Sequence, residues 1–213
     1  MSSTRSKYVD LATHTTHSGG KGEKFHDWYP YLEGFSSRFV YEVLDDFFED
    51  SKFLLEPFGG VGTTPVSLWQ KNISCDYCEV NPYLQMLVNA KKEALHLDKN
   101  DLLKKLRLFR KKINDLCVIE PDEKLRCSYE LSFGKSIYFE RNAFEDILKI
   151  KTLCRKVTQP YEEIFTSICA SVLIKSSLLK RAGDVRYKTK KELLKGIPRI
   201  QHLLGDRLDL VIS

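Results

Sequence analysis

The stretch that decides the fold of the first part of the chain is LLEPFGGVGTT, residues Leu54–Thr64. Its apolar start predicts the end of a buried strand, and Glu56 closes that strand. Three glycines follow and remove side chains where a bound molecule must approach the main chain: Gly59, Gly60 and Gly62. A glycine turn with this composition is also common as a tight surface loop, so neighbouring features have to decide between the two interpretations.

Those features lie on either side of the next helix. Thr63 or Thr64 is a suitable N-cap for a helix that begins with Pro65. Ile73–Val80 (ISCDYCEV) then predicts a second strand, which ends at Glu79, 23 residues after the first acid. This offset is close to the roughly 20 residues at which a strand-end acid binds ribose hydroxyls in doubly wound α/β domains. The order of strand, acid, glycine turn, helix and second acid therefore predicts a nucleotide site.

These residues resemble a known family. EPFGGVGTT is similar to the AdoMet-binding motif of amino-group DNA methyltransferases, which usually reads Asp-Pro-Phe-x-Gly-x-Gly-Thr-Thr. CEVNPYL resembles the second motif of the family, where an acid followed by Asn-Pro ends strand two. HDWYPYLEGFSSRFV (His26–Val40) resembles the aromatic-rich segment that precedes the first strand and folds over the methionine end of the cofactor.

The resemblance implies S-adenosyl-L-methionine (AdoMet) as cofactor and an α/β fold, a Rossmann-like methyltransferase sheet with a largely helical insertion. Glu56 replaces the usual Asp, and Glu79 is expected to hold the ribose. The expected cofactor-binding residues are Glu56, Pro57, Phe58, Gly59, Gly60, Gly62, Thr63, Thr64, Glu79, Asn81 and Pro82. The implied reaction is methylation of the exocyclic amino group of adenine (N6) or cytosine (N4) in DNA, as in restriction-modification systems, and the sequence does not choose between the two bases.

Composition agrees with an ordinary globular protein, since 42% of the 213 residues are hydrophobic and 30% are charged. No apolar run approaches the roughly 20 residues of a membrane span, and the polar N-terminus lacks the apolar core of a secretory signal. We therefore expect a cytoplasmic protein with no membrane partner and a mobile polar leader over residues 1–24.

Six cysteines fall within predicted strands and helices, so reduced, partly buried thiols are expected rather than a disulfide framework. Cys75 and Cys78 are spaced as a Cys-x-x-Cys pair, but a structural zinc site needs a second pair. Residues three apart on a strand also point to opposite faces. We expect no metal site.

The remaining pattern predicts further elements and a division of the chain. Residues 25–97 form the AdoMet-binding β-α-β region, 98–195 a helical insertion with a basic segment, and 196–213 a return to the sheet. The expected helices cover Phe35–Phe48, Leu84–Ala94, a stretch that begins near Lys99, Phe139–Lys156 and Tyr161–Arg181. Ser36 or Ser37 is the expected cap of the first, whose expected buried face comprises Phe39, Val43, Phe47 and, as a further candidate, Leu44. Cys117–Phe133 is expected to be less regular, with a short extended stretch.

Basic residues concentrate between Lys175 and Lys195. This segment has eight basic and two acidic residues, a net charge of +6, compared with +5 for the whole chain. Such a local excess is typical of a surface that contacts phosphates, although a solvated surface is the competing interpretation. The expected contacts to double-stranded DNA are Lys180, Arg181, Arg186, Lys188, Lys190 and Lys191.

Arg207–Ser213 (RLDLVIS) predicts a core strand. In the family, such a strand runs directly into the catalytic tetrapeptide Asp/Asn/Ser-Pro-Pro-aromatic. That tetrapeptide is absent from this sequence and is expected after Ser213, so no catalytic residue is assigned. The resemblance then implies either the first subunit of a split enzyme, with a second subunit that carries the catalytic motif, or a truncated remnant.

Two alternatives from other classes stay open. In the first, the chain is a non-catalytic nucleotide- or DNA-binding module, and its glycine turn is only a structural element of the fold. In the second, which has less support, the chain belongs to a methyltransferase that acts on RNA. A partner that supplies the Pro-Pro-aromatic motif favours the enzyme, whereas AdoMet binding without any such partner favours the module or remnant.

Overall fold

The computed structural model describes residues 25, 28–29, 34–134, 136–182 and 184–212. The chain divides into two compact units, of which the first comprises residues 1–96 and the second residues 97–213. The predicted leader 1–24 lies outside the described residues, as does most of the aromatic-rich segment before residue 34. Among the described residues, no helix is both long enough and apolar enough to cross a membrane.

The first unit is an α/β arrangement, as the sequence predicts. Its elements are α1 (Ser37–Phe47), β1 (Phe53–Glu56), α2 (Thr63–Gln70), β2 (Ser74–Tyr77) and α3 (Pro82–His96). The two strands are parallel, and they are the only strands of the described part of this unit. The predicted β-α-β-α order is therefore confirmed, although β2 ends two residues before Glu79.

Helix α1 begins where the sequence predicts, because the Ser36 hydroxyl accepts a hydrogen bond from the Phe39 N–H at 3.3 Å. Its buried face differs from the expected one. Val40 and Leu44, four residues apart, pack against α2 and β2, whereas Phe47, expected in the core, is 61% exposed. Of the expected stripe, Leu44 is buried and Phe39 and Val43 are half-buried, so only the place of Phe47 is wrong.

Among the described residues, helices pack on one face of the sheet. Leu54 and Cys75 lie opposite each other in the register and pack in the cluster that Val40 and Leu44 form with α2. Phe53 and Leu55, which point to the other face, are 56% and 62% exposed. A parallel sheet normally carries helices on both faces, so the described part of this unit resembles half of such a layer arrangement.

The second unit is mostly helical. Its elements are α4 (Lys99–Ile113), a 3₁₀ turn (Leu116–Val118), α5 (Glu123–Phe133), α6 (Arg141–Arg155), α7 (Tyr161–Ala170), β3 (Leu179–Ala182), β4 (Asp184–Tyr187), α8 (Lys190–Leu193) and α9 (Ile200–Ile212). Helices α4, α6, α7 and α9 pack on one another. Strands β3 and β4 form an antiparallel hairpin in which Leu179 lies opposite Tyr187.

Three expectations for this unit are wrong. The region expected to be less regular contains helix α5, and the helix expected over Tyr161–Arg181 ends at Ala170 and gives way to turns and β3. The strand expected at Arg207–Ser213 is the end of α9, which extends to Ile212. Ile200, Leu204 and Leu208 of α9 are buried at four-residue spacing, and this helical period outweighs the short apolar run at its end.

A buried carboxylate contributes to the position of helix α5. Asp122 accepts a hydrogen bond from the Leu125 N–H at 2.8 Å as N-cap of α5, and its other oxygen pairs with the guanidinium of Arg155 on α6. Only 4% of the Asp122 side chain is exposed. The same residue therefore caps α5 and ties it to α6.

We expect Asp122→Ala to lower the free energy of unfolding of the second unit by roughly 2–4 kcal/mol, because it removes a cap and leaves Arg155 without its partner. Asp98→Ala is the matched control. Asp98 caps α4 through the Asp101 N–H at 2.8 Å but is exposed, so its loss should cost only about 1 kcal/mol. Urea unfolding followed by far-ultraviolet circular dichroism measures both. Equal losses in the two variants would contradict a role for the ion pair.

Candidate cofactor site and basic hairpin

The glycine turn between β1 and α2 is joined to the end of β2 by backbone hydrogen bonds. The Gly59 N–H donates to the Cys78 carbonyl at 2.8 Å, and the Cys78 N–H donates to the Glu56 carbonyl at 2.9 Å. Within the turn, the Gly62 N–H donates to the Gly59 carbonyl at 2.8 Å. The turn and the chain after β2 therefore lie side by side at the carboxyl ends of the strands, where open α/β sheets bind their ligands.

The three glycines of the turn serve different purposes. A Cβ at Gly59 would lie 2.7 Å from the ring of Tyr77, and one at Gly62 would lie 2.8 Å from Val88. These two positions therefore need glycine so that the turn can pack on β2 and α3. Gly60 is different, since a Cβ there would meet nothing closer than the Phe58 carbonyl at 3.9 Å.

Gly60 and Gly62 both have positive φ, 52° and 85°, which favours glycine. Gly62, in the left-handed conformation, is the N-cap of α2, and the helix begins at Thr63. The expectation that Thr63 or Thr64 is the N-cap, with Pro65 first in the helix, is therefore wrong. Thr63 is instead a buried residue of the first turn, and its carbonyl accepts the Ser67 hydroxyl at 2.8 Å.

The structure brings the two strand-end acids to the same turn. Glu79 accepts hydrogen bonds from the Gly60 N–H at 2.8 Å and from the Asn81 N–H at 2.7 Å, one on each carboxylate oxygen. Glu56 accepts from the Phe58 N–H at 2.9 Å. Each oxygen of an ionised carboxylate has about two acceptor positions, so Glu79 retains capacity for a hydroxyl donor.

Asn81 and Pro82, which the resemblance assigns to the cofactor, start helix α3. The Asn81 side-chain oxygen accepts the Tyr83 N–H at 2.9 Å, and Pro82 occupies the first helical position. Both residues are exposed. Their contacts are those of a helix start, and a role in binding a cofactor remains a prediction.

Two exposed apolar side chains flank the turn. Phe58, which the sequence analysis includes in the site, is 86% exposed, and Val80, which it omits, is 95% exposed. Val80 directly follows Glu79, so an apolar residue next to a strand-end acid was the available signal. Exposed apolar groups near the ends of the two strands can accept a flat, partly polar ring.

Sequence reasoning also missed Lys91 of α3, which lies within the predicted helix Leu84–Ala94. This lysine is 1% exposed, and its ammonium group donates to the Val61 carbonyl of the glycine turn at 2.7 Å. Burial lowers the pKa of Lys91 to about 7, because a charged group is disfavoured away from water. A lysine on an apolar face with helical spacing was the only signal in the sequence.

The cysteines have no place in this site. All six are free thiols, as predicted. Cys75 is buried and Cys78 exposed, and burial, assisted by the charge of Glu56, raises the pKa of the Cys75 thiol to about 11. Among the described residues, no group of three or more His, Cys, Asp or Glu side chains is arranged to hold a metal ion.

The basic segment forms the β3–β4 hairpin and the short helix α8. Glu192 of α8 accepts hydrogen bonds from Arg186 at 2.9 and 3.0 Å and from Lys180 at 2.6 Å. The Arg186 guanidinium, then Lys180, hold the pKa of the Glu192 carboxyl far below its usual range. Two of the six residues expected to contact DNA are therefore engaged with an acid of the same segment.

The other expected DNA contacts have varied environments. The Lys188 ammonium donates to the Ser177 carbonyl at 2.6 Å and to the Lys175 carbonyl at 3.2 Å, and partial burial lowers the pKa of Lys188. Arg181 is half-buried, whereas Lys190 and Lys191 are exposed in α8. The hairpin and α8 thus gather the predicted basic residues. Of the six, Lys190 and Lys191 are the exposed ones that have no acidic partner in the described part of the chain.

Comparison of the chain with protein-family models, with curated proteins and with solved structures gave no match.

The glycine geometry predicts losses of stability of different size for one substitution at two positions. Asn tolerates positive φ better than other residues with a side chain. Gly60→Asn should therefore cost about 1 kcal/mol or less, since its side chain enters open space. Gly62→Asn should cost roughly 2–4 kcal/mol because it meets Val88. Both tryptophans, Trp28 and Trp69, belong to the first unit, so tryptophan fluorescence during urea unfolding reports on that unit. Equal costs would mean that Val88 does not require a glycine at position 62.

Proposed function

We propose that the first unit binds AdoMet and that the chain is the cofactor-binding part of a DNA methyltransferase specific for the amino group of adenine or cytosine. The observation that supports this most is the Glu79 carboxylate, hydrogen-bonded to the Gly60 N–H beside the open side of that glycine. A carboxylate at the end of the second strand and a turn without side chains are what binding of a nucleoside ribose requires. The motif resemblance supplies the identity of the ligand.

The residues present fit the nucleoside part of AdoMet. Glu79 has acceptor capacity for ribose hydroxyls, and its Gly60 partner leaves open space at the turn, since a Cβ there would meet nothing closer than 3.9 Å. Phe58 and Val80 offer exposed apolar surface to the adenine ring. AdoMet, when bound, supplies the electrophilic methyl group, and the contribution of this unit is to bind and orient it.

The base-activating side of the reaction is assigned to residues outside this sequence, because no Pro-Pro dipeptide occurs in it. By resemblance, a Pro-Pro-aromatic tetrapeptide accepts hydrogen bonds from the target amino group while the base is flipped out of the duplex. We propose that a second subunit, or a further segment of chain, supplies this tetrapeptide. It would also extend the two described strands into the Rossmann-like sheet that the family resemblance implies, in a cytoplasmic enzyme.

The uncovered face of the sheet agrees with that proposal. Phe53 and Leu55 are large apolar residues, and both are more than half exposed on this face. In a doubly wound domain these positions are covered by further elements. The same exposed face is also what a non-catalytic remnant would retain, so a nucleotide- or DNA-binding module without activity is the second candidate function.

Contact with DNA is assigned to the basic hairpin and α8. The segment between Lys175 and Lys195 carries more net positive charge than the whole chain. Lys190 and Lys191 are the members of the predicted set most exposed to a phosphate backbone, whereas Lys180 and Arg186 would first have to be shared with Glu192. Binding by this surface should be independent of base sequence.

Glu79→Gln should weaken AdoMet binding by about 5- to 30-fold, because a ribose hydroxyl then loses a charged acceptor worth roughly 1–2 kcal/mol. Gly60→Asn should weaken binding more, since its side chain fills the space beside Glu79. Isothermal titration calorimetry with AdoMet measures both. Glu93→Gln, at an exposed acid of α3, is the matched control and should bind as the wild type does. Wild-type affinity in both test variants would remove the cofactor from this turn.

For DNA, the substitution of Lys190 and Lys191 by Ala should reduce affinity for all duplexes alike. The slope of log affinity against log salt should flatten by up to about 1.8, since each neutralised phosphate contributes about 0.9. Lys111 and Lys112, an adjacent exposed pair on α4, provide the control when they are replaced together. Fluorescence anisotropy with two unrelated duplexes over a range of salt gives the slopes. An unchanged slope for the α8 variant would mean that this charge is only a solvated surface.

A further inference from the structure

Lys91 is among the largest fully buried side chains of the described residues. Lysine is rarely buried unless its ammonium group has a partner, because the loss of hydration is costly. The partner here is the carbonyl of Val61, 2.7 Å from the Lys91 Nζ and part of the glycine turn. Packing alone does not explain a buried lysine whose ammonium group donates to a single main-chain carbonyl, because an apolar side chain would fill the same space without the loss of hydration.

The position of Lys91 on α3 places it next to a second contact with the turn. Val88, one helical turn earlier on the same face, packs against Gly62, where a Cβ would come within 2.8 Å. Leu84 and Leu87 of α3 form a cluster with the Val61 side chain. Helix α3 therefore contacts the turn through the Val61 side chain, the Val61 carbonyl and the Gly62 backbone.

The surroundings of the ammonium group are apolar. The turn and α2 contain no ionisable side chain between Phe58 and Gln70. The other charged groups of these elements lie elsewhere: Glu79 is hydrogen-bonded to the Gly60 N–H, Glu56 to the Phe58 N–H, and the Lys92 ammonium lies 5.0 Å from the centre of the Trp69 ring. The Val61 carbonyl is thus the polar group toward which Lys91 is directed.

We propose that Lys91 is a positioning residue of the cofactor site, which fixes the peptide between Val61 and Gly62 and so keeps the Gly60 N–H directed at Glu79. This inference rests on the proposed function, because the site it serves is the proposed AdoMet site. A turn with two positive-φ glycines has many accessible conformations. A hydrogen bond to its central carbonyl from a rigid helix selects one of them before the ligand arrives, which lowers the ordering cost of binding.

The test combines hydrogen exchange with binding, in the complete chain labelled with ¹⁵N-glycine. In Lys91→Met, which keeps the length of the side chain but has no donor, the Gly60 and Gly62 amides should exchange at least about tenfold faster than in the wild type. Gly205, in α9 of the second unit, is the internal reference and should not change. AdoMet affinity, measured by calorimetry, should fall by about tenfold or more.

Two further variants complete the experiment. Lys52→Met, at an exposed lysine of the first unit, should match the wild type in both measurements. Lys91→Gln keeps an N–H donor and should restore part of the amide protection and part of the affinity. If tryptophan fluorescence shows that Lys91→Met does not fold, Lys91→Gln replaces it in the test. Its Gly60 and Gly62 amides should then exchange faster than in the wild type, but more slowly than amides of an unprotected turn.

The outcomes separate this inference from the proposed function. Unchanged exchange at Gly60 and Gly62 in a folded Lys91→Met variant would overturn the positioning role. Faster exchange with unchanged AdoMet affinity would also overturn it, because the turn would then be ordered by Lys91 without consequence for the site. If wild-type protein binds no AdoMet, the proposed function fails, whereas the exchange measurement still decides whether Lys91 orders the turn.

Discussion

The hydrogen bonds that join the glycine turn to the chain after β2 are the interaction on which the first unit depends. They connect Gly59 to Cys78 and Gly60 to the Glu79 carboxylate, so the loops at the ends of two neighbouring parallel strands hold one another. Without them the turn, with its positive-φ glycines, would have no fixed conformation. Helix α3 also contacts the turn: Val88 packs against Gly62, and the buried ammonium group of Lys91 donates to the Val61 carbonyl. The result is a turn with a defined backbone and one open side.

Because of this arrangement, Glu79 has a structural role in addition to its proposed role in binding. Glu79 is half-buried and already accepts two backbone N–H groups, so it orders the turn and the start of α3 in the absence of any ligand. A ribose would share this carboxylate with the main chain instead of finding it unoccupied. Such an acid is preorganised, since its position does not have to be established when the nucleoside binds. The structural and the proposed binding roles of Glu79 are therefore compatible.

The second unit shows how a basic segment can be partly neutralised by its own fold. Glu192 is one of only two acids between Lys175 and Lys195, yet it accepts hydrogen bonds from Arg186 and Lys180 and forms the capping box of α8 with Thr189. Net charge along the sequence is unaffected by these pairs, and long-range attraction to a polyanion depends on net charge. Close contacts depend on which cations face solvent without an acidic partner, and of the described residues expected to contact DNA these are Lys190 and Lys191 in α8.

The α/β order of the first unit was predictable from sequence, because alternating strand and helix patterns and the glycine turn are local signals. Local signals also placed Glu56 at the end of β1 and Glu79 close to the end of β2, which ends at Tyr77, and limited the cap of α1 to Ser36 or Ser37. The sequence did not determine the end of the chain: Leu210-Val211-Ile212 has the composition of a strand, but the burial of Leu204 and Leu208 in a helical period makes it part of α9. Local propensity is weak compared with packing over several turns.

Only the tertiary structure decided the individual roles within the site. Three glycines look alike in a sequence, yet contacts with Tyr77 and Val88 constrain two of them and leave the side of Gly60 open. Lys91 reads as one more position on a helix face, and only its approach to a carbonyl 30 residues away gives it a function in the turn. Hydrogen bonds and packing between distant residues depend on the fold as a whole, and local sequence patterns therefore do not predict them.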